Sequence, residues 1–148
     1  MENKLVKKST DELLKELENQ EEFCRYYAEN HDQSVSIPLS EMLTRLLEEK
    51  HLTKTEVFRR AEMSEDYGYQ LFSGVRTPGR GKLLSLAVAM SLSFSETQAL
   101  LKAAGEAPLY AKNEFDCIVI HGIFHRKTVL QINDTLYDYL KKTLGDER

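Results

Sequence analysis

Residues 52–78 read LTKTEVFRRAEMSEDYGYQLFSGVRTP, and this stretch carries the clearest helix signals of the chain. Thr53 stands three residues before a glutamate, a capping-box pattern that predicts the start of a helix running through Ala61. Ser64 has a side chain preferred at helix N-caps, and it predicts a second helix over 65–72. A Ser-Gly pair follows that helix, as is common where helices end. The stretch therefore predicts two short helices with a tight connection.

The apolar residues of this stretch occupy positions where two crossing helices need contacts. They are Leu52, Val57, Ala61, Met63 and Leu71. Ala61 is small, so two helix backbones can approach each other closely there. Such a pair is typical of a helix-turn-helix, whose second helix projects into the major groove of DNA.

Helical patterns extend to both sides of residues 52–78. We predict three further core helices over 39–50, 82–90 and 95–105, an N-terminal helix over 10–30 capped by Thr10, and two C-terminal helices over 113–125 and 128–144. The β-branched run 117–120 has no partner strand, so a buried helix is the better interpretation. The predicted fold class is all-α: a five-helix helix-turn-helix core with an N-terminal helix and a C-terminal helical hairpin.

The same pattern sets domain boundaries and a core. We predict an N-terminal helix and linker over 1–36, the linker being 31–36, a helix-turn-helix domain over 37–108 and the hairpin over 109–148. The predicted core residues are Leu43, Leu47, Val57, Leu71, Leu83, Leu86, Leu100 and Leu101.

Three short motifs in the central stretch, LTxxEV, AxMS and SGxRxP, resemble the Cro/CI (XRE-type, lambda-repressor-like) helix-turn-helix family. The resemblance covers residues 39–105, about half of the chain. It implies that the five helices form a repressor-like core. It also implies that the protein is a sequence-specific DNA-binding transcriptional regulator, with double-stranded DNA as its partner.

Two sets of side chains would contact DNA if the roles known in the family carry over. The resemblance implies phosphate contacts from Lys54, Ser64, Arg76, Arg80 and Lys82. It implies base contacts from Glu65, Asp66, Tyr69 and Gln70. Phosphate contacts fix the register of a protein on DNA and base contacts specify sequence, so both sets are needed.

Two positions depart from the family pattern in their backbone or packing role. Glu62 stands in the turn where glycine is common, so a residue with a side chain must accept that backbone conformation. Gly68 stands where the second helix of the family carries an apolar side chain that anchors it to the core. We expect Tyr67 or Tyr69 to replace that anchor by packing sideways.

A third departure concerns charge. Glu65 and Asp66 would face a polyanion. A carboxylate can accept a hydrogen bond from cytosine N4, but it opposes the phosphate attraction that supplies much of the affinity. The alternative interpretation is therefore a helix-turn-helix scaffold used as a protein–protein interaction module with little or no DNA binding.

Composition excludes several other classes. The chain has 148 residues, is 41% hydrophobic and 30% charged, and carries a net charge of -4. The acidity is concentrated in residues 1–33, with five Lys/Arg against nine Asp/Glu, whereas residues 34–112 hold ten against nine. No apolar run approaches the ~20 residues of a membrane span, and the N-terminus lacks the apolar segment of a secretory signal. We expect a cytoplasmic protein with no membrane partner.

Signals for catalysis or metal binding are weak. Cys117, His121 and His125 recur at four-residue steps on one predicted helix, but the first and last are separated by about 12 Å of helix rise. A half-buried polar stripe is the better interpretation of these three residues than a metal site. We expect free thiols at Cys24 and Cys117, no catalytic residue, no cofactor and no enzymatic activity.

The C-terminal helices carry more apolar surface than a hairpin needs. Specificity in this class of DNA-binding protein usually requires two half-sites. We therefore expect a two-fold homodimer built mainly from residues 113–144, either alone or together with the N-terminal helix. The alternative is that both C-terminal helices fold back on their own core.

Overall fold

The structure is a computed structural model that describes residues 8–30 and 37–147. The chain divides into two compact units, Met1–Ser36 and Ile37–Arg148. All regular elements within the described ranges are helical, which confirms the all-α fold class. The helices are α1 (Thr10–Asn19), α2 (Phe23–Asn30), α3 (Leu39–Glu49), α4 (Lys54–Ala61), α5 (Glu65–Ser73), α6 (Arg80–Ala89), α7 (Phe94–Ala103), α8 (Glu114–Phe124) and α9 (Val129–Leu140), followed by a 3-10 turn (Leu144–Asp146).

The N-terminal unit contains two helices, so the single helix predicted over 10–30 is wrong. Gln20 adopts extended backbone angles, φ -90° and ψ 116°, and ends α1. Ser9 caps α1, one residue earlier than predicted. Its hydroxyl accepts from the Glu12 backbone N–H while the Glu12 carboxylate accepts from the Ser9 backbone N–H. The predicted linker over 31–36 lies outside the described residues.

The beginnings of α4 and α5 are those predicted from their caps. The Thr53 hydroxyl accepts from the backbone N–H of Glu56 at 3.2 Å. The Ser64 hydroxyl accepts from the backbone N–H of Tyr67, also at 3.2 Å. Between the two helices Glu62 adopts left-handed angles, φ 58° and ψ 42°. A non-glycine residue therefore carries the turn, at the steric cost that such a conformation imposes.

Among the helix ends that differ from the prediction, three have an evident local reason. α6 begins at Arg80, two residues early, with Gly79 as its N-cap. α7 begins after Ser93, one residue early, because Ser93 and the glutamate three residues later form a complete capping box. α9 ends at Leu140 because Lys141 turns left-handed, with φ 58°.

The core of the second unit is built around α6, which packs against α4, α7, α9 and the 3-10 turn. All eight predicted core residues are buried: Leu43, Leu47, Val57, Leu71, Leu83, Leu86, Leu100 and Leu101. The hairpin of α8 and α9 adds Val119 and Leu136 to the same core. Both C-terminal helices therefore pack on their own chain.

The 3-10 turn lies against α6 at a position that has no side chain. A Cβ built on Gly81 would overlap the Leu144 carbonyl oxygen and lie 2.6 Å from that of Glu147. Gly81 thus permits a backbone-to-backbone approach that any larger residue would block. Across residues 8–30 and 37–147, no helix has the length and apolar character needed to cross a membrane.

Candidate nucleic-acid interface

The outward face of α5 carries the side chains predicted to contact bases. Glu65, Asp66 and Tyr69 are exposed, and Gln70 is partly exposed. At 100° per residue, these four side chains lie within an arc of about 140° around the helix axis. Ser64 is also exposed at the start of the helix. Its hydroxyl accepts the capping bond and retains a proton to donate.

The inner face of α5 is anchored by a side chain from α4. The Phe58 ring is buried and lies directly over Gly68, where an added Cβ would be 2.6 Å from Cζ and closer still to two other ring carbons. Phe58 also contacts Tyr69 edge-on, with ring centroids 5.1 Å apart. The space of the missing anchor is therefore filled by a ring from the preceding helix, and Tyr69 packs sideways against that ring as expected.

Lys54 lies beside one edge of the α5 face. Its Nζ is 5.9 Å from the ring centroid of Tyr69 and 5.8 Å from that of Phe72. At these distances the ammonium is attracted by the negative faces of the rings. Lys54 is also the first residue of α4, where the helix dipole itself favours a bound anion.

Arg76 and Lys82 lie together at the opposite edge of α5. The Arg76 guanidinium carbon is 5.9 Å from the Tyr67 ring centroid, and Lys82 Nζ is 5.6 Å from it. Tyr67 stands two residues before Tyr69, which places the two rings about 160° apart around the helix. The Arg76 backbone N–H donates to the Gln70 carbonyl at 3.1 Å, so the loop that carries Arg76 is tied to α5.

These three cations have no carboxylate partner in the described parts of the chain: no ion pair holds Lys54, Arg76 or Lys82. Their positive charge is therefore available to an external anion. The arrangement is a polar α5 face with a cation on one side and two cations on the other.

Arg80 does not lie with these three cations on the surface, so its predicted phosphate contact is wrong. The side chain is buried, with 8% relative exposure for the residue. Its two terminal nitrogens donate to the two oxygens of Asp116 at 3.0 and 2.9 Å, and Nη1 also donates to Glu147 at 3.0 Å. Nε donates to the Ala107 carbonyl at 2.9 Å, and Nη2 also donates to the Pro108 carbonyl at 3.2 Å. A guanidinium with these bonds filled has no donor to offer a phosphate.

The electrostatics of Arg80 agree with a structural role. Burial opposes its charge, but hydrogen bonding and attraction from Asp116 and Glu147 outweigh that cost and raise the pKa of Arg80. The ion pair links the start of α6 to α8 and to the residue that follows the 3-10 turn. A buried charge of this kind is tolerated because it is paired and hydrogen-bonded.

The cysteine and histidine stripe of α8 is exposed, so the prediction that it is half-buried is wrong. Cys117, His121 and His125 all face solvent, and the two imidazole rings lie 4.3 Å apart. No group of three or more potential metal ligands occurs within the described residues. Cys24 and Cys117 are both free and exposed.

Sequence reasoning missed Phe58, and it missed that the Tyr67 ring lies beside two cations. The signal for Phe58 was Gly68 itself, because a glycine inside a helix is a mark of close approach by another group. Nothing in the sequence near Tyr67 indicates a contact with cations, because its two cationic neighbours come from the loop after α5 and from α6. No protein-family model, curated protein or solved structure matches this chain.

Proposed function

We propose that the protein is a sequence-specific DNA-binding transcriptional regulator, with α3 to α7 as a repressor-like, XRE-type helix-turn-helix core. In this proposal α5 is the recognition helix and enters the major groove. The observation that carries it is the placing of unpaired cations on both edges of α5, Lys54 on one side and Arg76 with Lys82 on the other. A major groove is about 12 Å wide and admits one helix between two phosphate backbones.

The contacts divide into two classes in this proposal. Lys54, Arg76 and Lys82, with the Ser64 hydroxyl, bind phosphates and set the position of α5. Bases are then read by Glu65, Asp66, Tyr69 and Gln70 from the exposed face between the cations. A carboxylate accepts from cytosine N4, and a glutamine amide pairs with adenine N6 and N7. The site operates in the cytoplasm without a cofactor and without catalysis.

One observation favours a second candidate function, a protein-interaction module. The first turn of α5 presents two carboxylates, and the neighbouring Val75 and Tyr69 are exposed apolar groups, at 74% and 46%. An acidic surface with apolar side chains beside it fits a basic protein partner. DNA is the favoured partner, because a basic protein that binds the two carboxylates would be repelled by the three cations at the edges of the same face.

Selection on random duplex DNA tests the proposal. The purified full chain is incubated with a random duplex pool at about 50 and 150 mM salt, and bound sequences are recovered over several rounds. An enriched motif that contains cytosine supports the proposal. The same selection is run with the triple variant Lys54→Gln, Arg76→Gln, Lys82→Gln as the control, and no DNA sequence should be enriched by this variant. Absence of enrichment in the unmodified chain as well would leave the protein-interaction module as the function.

We also propose that the regulator is a homodimer. The hairpin buries much of its apolar surface on its own core, so the dimer contact uses what remains exposed on α9. Leu130 and Tyr137 are both 55% exposed and lie seven residues apart on one face. A chain truncated at residue 108 would lack Asp116 and core residues, so point variants are the better test. Light scattering at high micromolar concentration should give a dimer for the full chain and a monomer for Leu130→Gln, Tyr137→Gln, and a monomer in both samples refutes the dimer.

A further inference from the structure

A cleft of about 520 Å³ lies within the second unit, at the turn between α6 and α7, and the end of α8 forms its other wall. A volume of this size holds a small organic molecule. The cleft shares no residue with the α5 face or with the cations beside it. Its use is therefore independent of the DNA-binding proposal.

One part of the cleft is apolar and aromatic. Leu92 is buried beneath it. The rings of Phe94 and Phe124 meet at the wall with centroids 5.5 Å apart and planes tilted by 39°. Phe124 nevertheless remains 64% exposed, so a large apolar area stands open to water next to a concave surface. A flat aromatic group bound there would cover this area and gain free energy from its burial.

The other part of the cleft carries positive charge. Lys50, Arg126 and Lys127 line it, against one carboxylate, Glu96. Glu96 is already engaged, because its carboxylate accepts from the Ser93 backbone N–H at 2.8 Å and from Lys50 Nζ at 2.9 Å. Lys50 is thereby neutralised.

Two cations remain uncompensated at the rim. In the part of the chain that the structure describes, neither Arg126 nor Lys127 forms an ion pair. Their backbone is held in place, since the Lys127 N–H donates to the Gly122 carbonyl at 2.8 Å and the Arg126 N–H to the Ile123 carbonyl at 3.3 Å. The turn between α8 and α9 thus presents two positive side chains from a hydrogen-bonded backbone beside the exposed ring.

We propose that this cleft is a binding site for a small aromatic anion of the aryl carboxylate class. The aromatic body packs on Phe94 and Phe124, and the carboxylate is bound by Arg126 and Lys127. Charge complementarity selects the anion, because a neutral analogue gains only the apolar contact and a cationic analogue is repelled by both side chains.

Calorimetric titration of the full chain with a charge series tests the proposal. The probes are 2-naphthoate, its neutral analogue 2-naphthamide and its cationic analogue 2-naphthylmethylammonium. Naphthoate should bind about tenfold more tightly than the amide, as expected for charge-assisted hydrogen bonds. The cation should not bind measurably. Equal affinity for all three probes would overturn the proposal.

Variants separate the two halves of the site. Arg126→Gln, Lys127→Gln should reduce the affinity for naphthoate to that for the amide and leave the amide unchanged. Phe124→Ser, a change at an exposed position, should weaken both probes. The matched control is Lys141→Gln, Lys142→Gln, which removes the same charge from exposed residues outside the cleft. An equal fall in naphthoate binding in this control would mean general attraction to the surface, and would also overturn the proposal.

Discussion

The ring of Phe58 occupies the space that any side chain at position 68 would need, so α4 and α5 are joined across a glycine. We expect Gly68→Ala to lower the free energy of unfolding by about 1–3 kcal/mol, as overpacked cores do. This destabilisation runs against helix propensity, which favours alanine by about 1 kcal/mol. Urea unfolding followed by circular dichroism measures the difference.

A second substitution isolates the cause. Phe58→Leu makes room above position 68, so Gly68→Ala should be less destabilising in that background than in the unmodified chain. The double-mutant cycle should give a coupling energy of at least about 0.5 kcal/mol. Additive effects would contradict the contact as the reason for glycine.

The Arg80–Asp116 pair gives a prediction about stability. Asp116→Asn leaves a buried guanidinium with only the Glu147 carboxylate, so we expect the free energy of unfolding to fall by about 3 kcal/mol. Glu147→Gln should cost less, about 1 kcal/mol, because the Glu147 side chain is 29% exposed and the pair with Asp116 persists. Urea unfolding of both variants at pH 7 measures these changes, and equal costs would contradict the assigned order.

Helix positions were largely predictable because caps are local signals. Thr53 and Ser64 each accept from a backbone N–H three residues away, and both helices begin where these residues stand. The same signal was present and overlooked at Ser9 and Ser93, each followed three residues later by glutamate. The break at Gln20 gave no such signal, since the charged and apolar pattern continues past it.

The burial of Arg80 could not be predicted in this way. Its carboxylate partner lies 36 residues further along the chain, and a second lies 67 residues away. An arginine shortly after α5 is equally suited to an external anion or to an internal carboxylate. Only the packing of α8 and of the residues after α9 shows which of these two partners Arg80 binds. The aromatic contacts of Lys54, Arg76 and Lys82 are likewise products of three elements brought together by the fold.

Arg76 and Lys82 give a prediction about salt dependence. Arg76→Gln or Lys82→Gln should weaken binding to every duplex alike and reduce the slope of log affinity against log salt by about 1, as expected when one phosphate is no longer neutralised. Tyr67→Leu should weaken binding less but in the same way, because it removes the ring that positions both cations. Lys112→Gln, at an exposed lysine of the α7–α8 connection, is the matched control. Unchanged DNA affinity in Arg76→Gln would contradict the phosphate contact.

Glu96 gives a prediction about pH. Its bond from the Ser93 backbone N–H, and then its contact with Lys50, lower the pKa of Glu96 below the ordinary value of 4.5. A lowered pKa means that the ionised carboxylate stabilises the fold above pH 4.5 and that this contribution disappears as the pH falls further. The stability gap between the unmodified chain and Glu96→Gln should therefore narrow between pH 5 and pH 3.

Urea unfolding at a series of pH values measures the gap. Lys50→Gln supplies the control, because it removes one of the two contacts that lower the pKa of Glu96. In the Lys50→Gln background, the stability gap caused by Glu96→Gln should still narrow towards pH 3, but by a smaller amount. A gap that stays constant down to pH 3 would contradict the assigned role of the ionised carboxylate.

The carboxylates at the start of α5 distinguish the two candidate functions most sharply. If α5 reads DNA, Glu65→Gln with Asp66→Asn removes phosphate repulsion, so affinity for random duplexes should rise. Selectivity for the selected motif should fall, by about 1–3 kcal/mol for each base that is no longer recognised. Gel-shift titrations on both duplexes measure the two effects. Glu48→Gln, Glu49→Gln removes the same charge from exposed positions of α3 and should change neither.

The results expected for a DNA-reading helix and for a protein-interaction module have different physical causes, so the titrations distinguish them. A protein-interaction module has negligible DNA affinity before and after the change, and its basic partner should bind the double variant more weakly. The carboxylates also lie in the first turn of α5, where they complement the helix dipole by about 0.3–1 kcal/mol each. Unfolding measurements must therefore accompany the titrations. A rise in random-duplex affinity and a fall in selectivity, together with this small decrease in stability, support base reading, whereas unchanged affinity on both duplexes contradicts it.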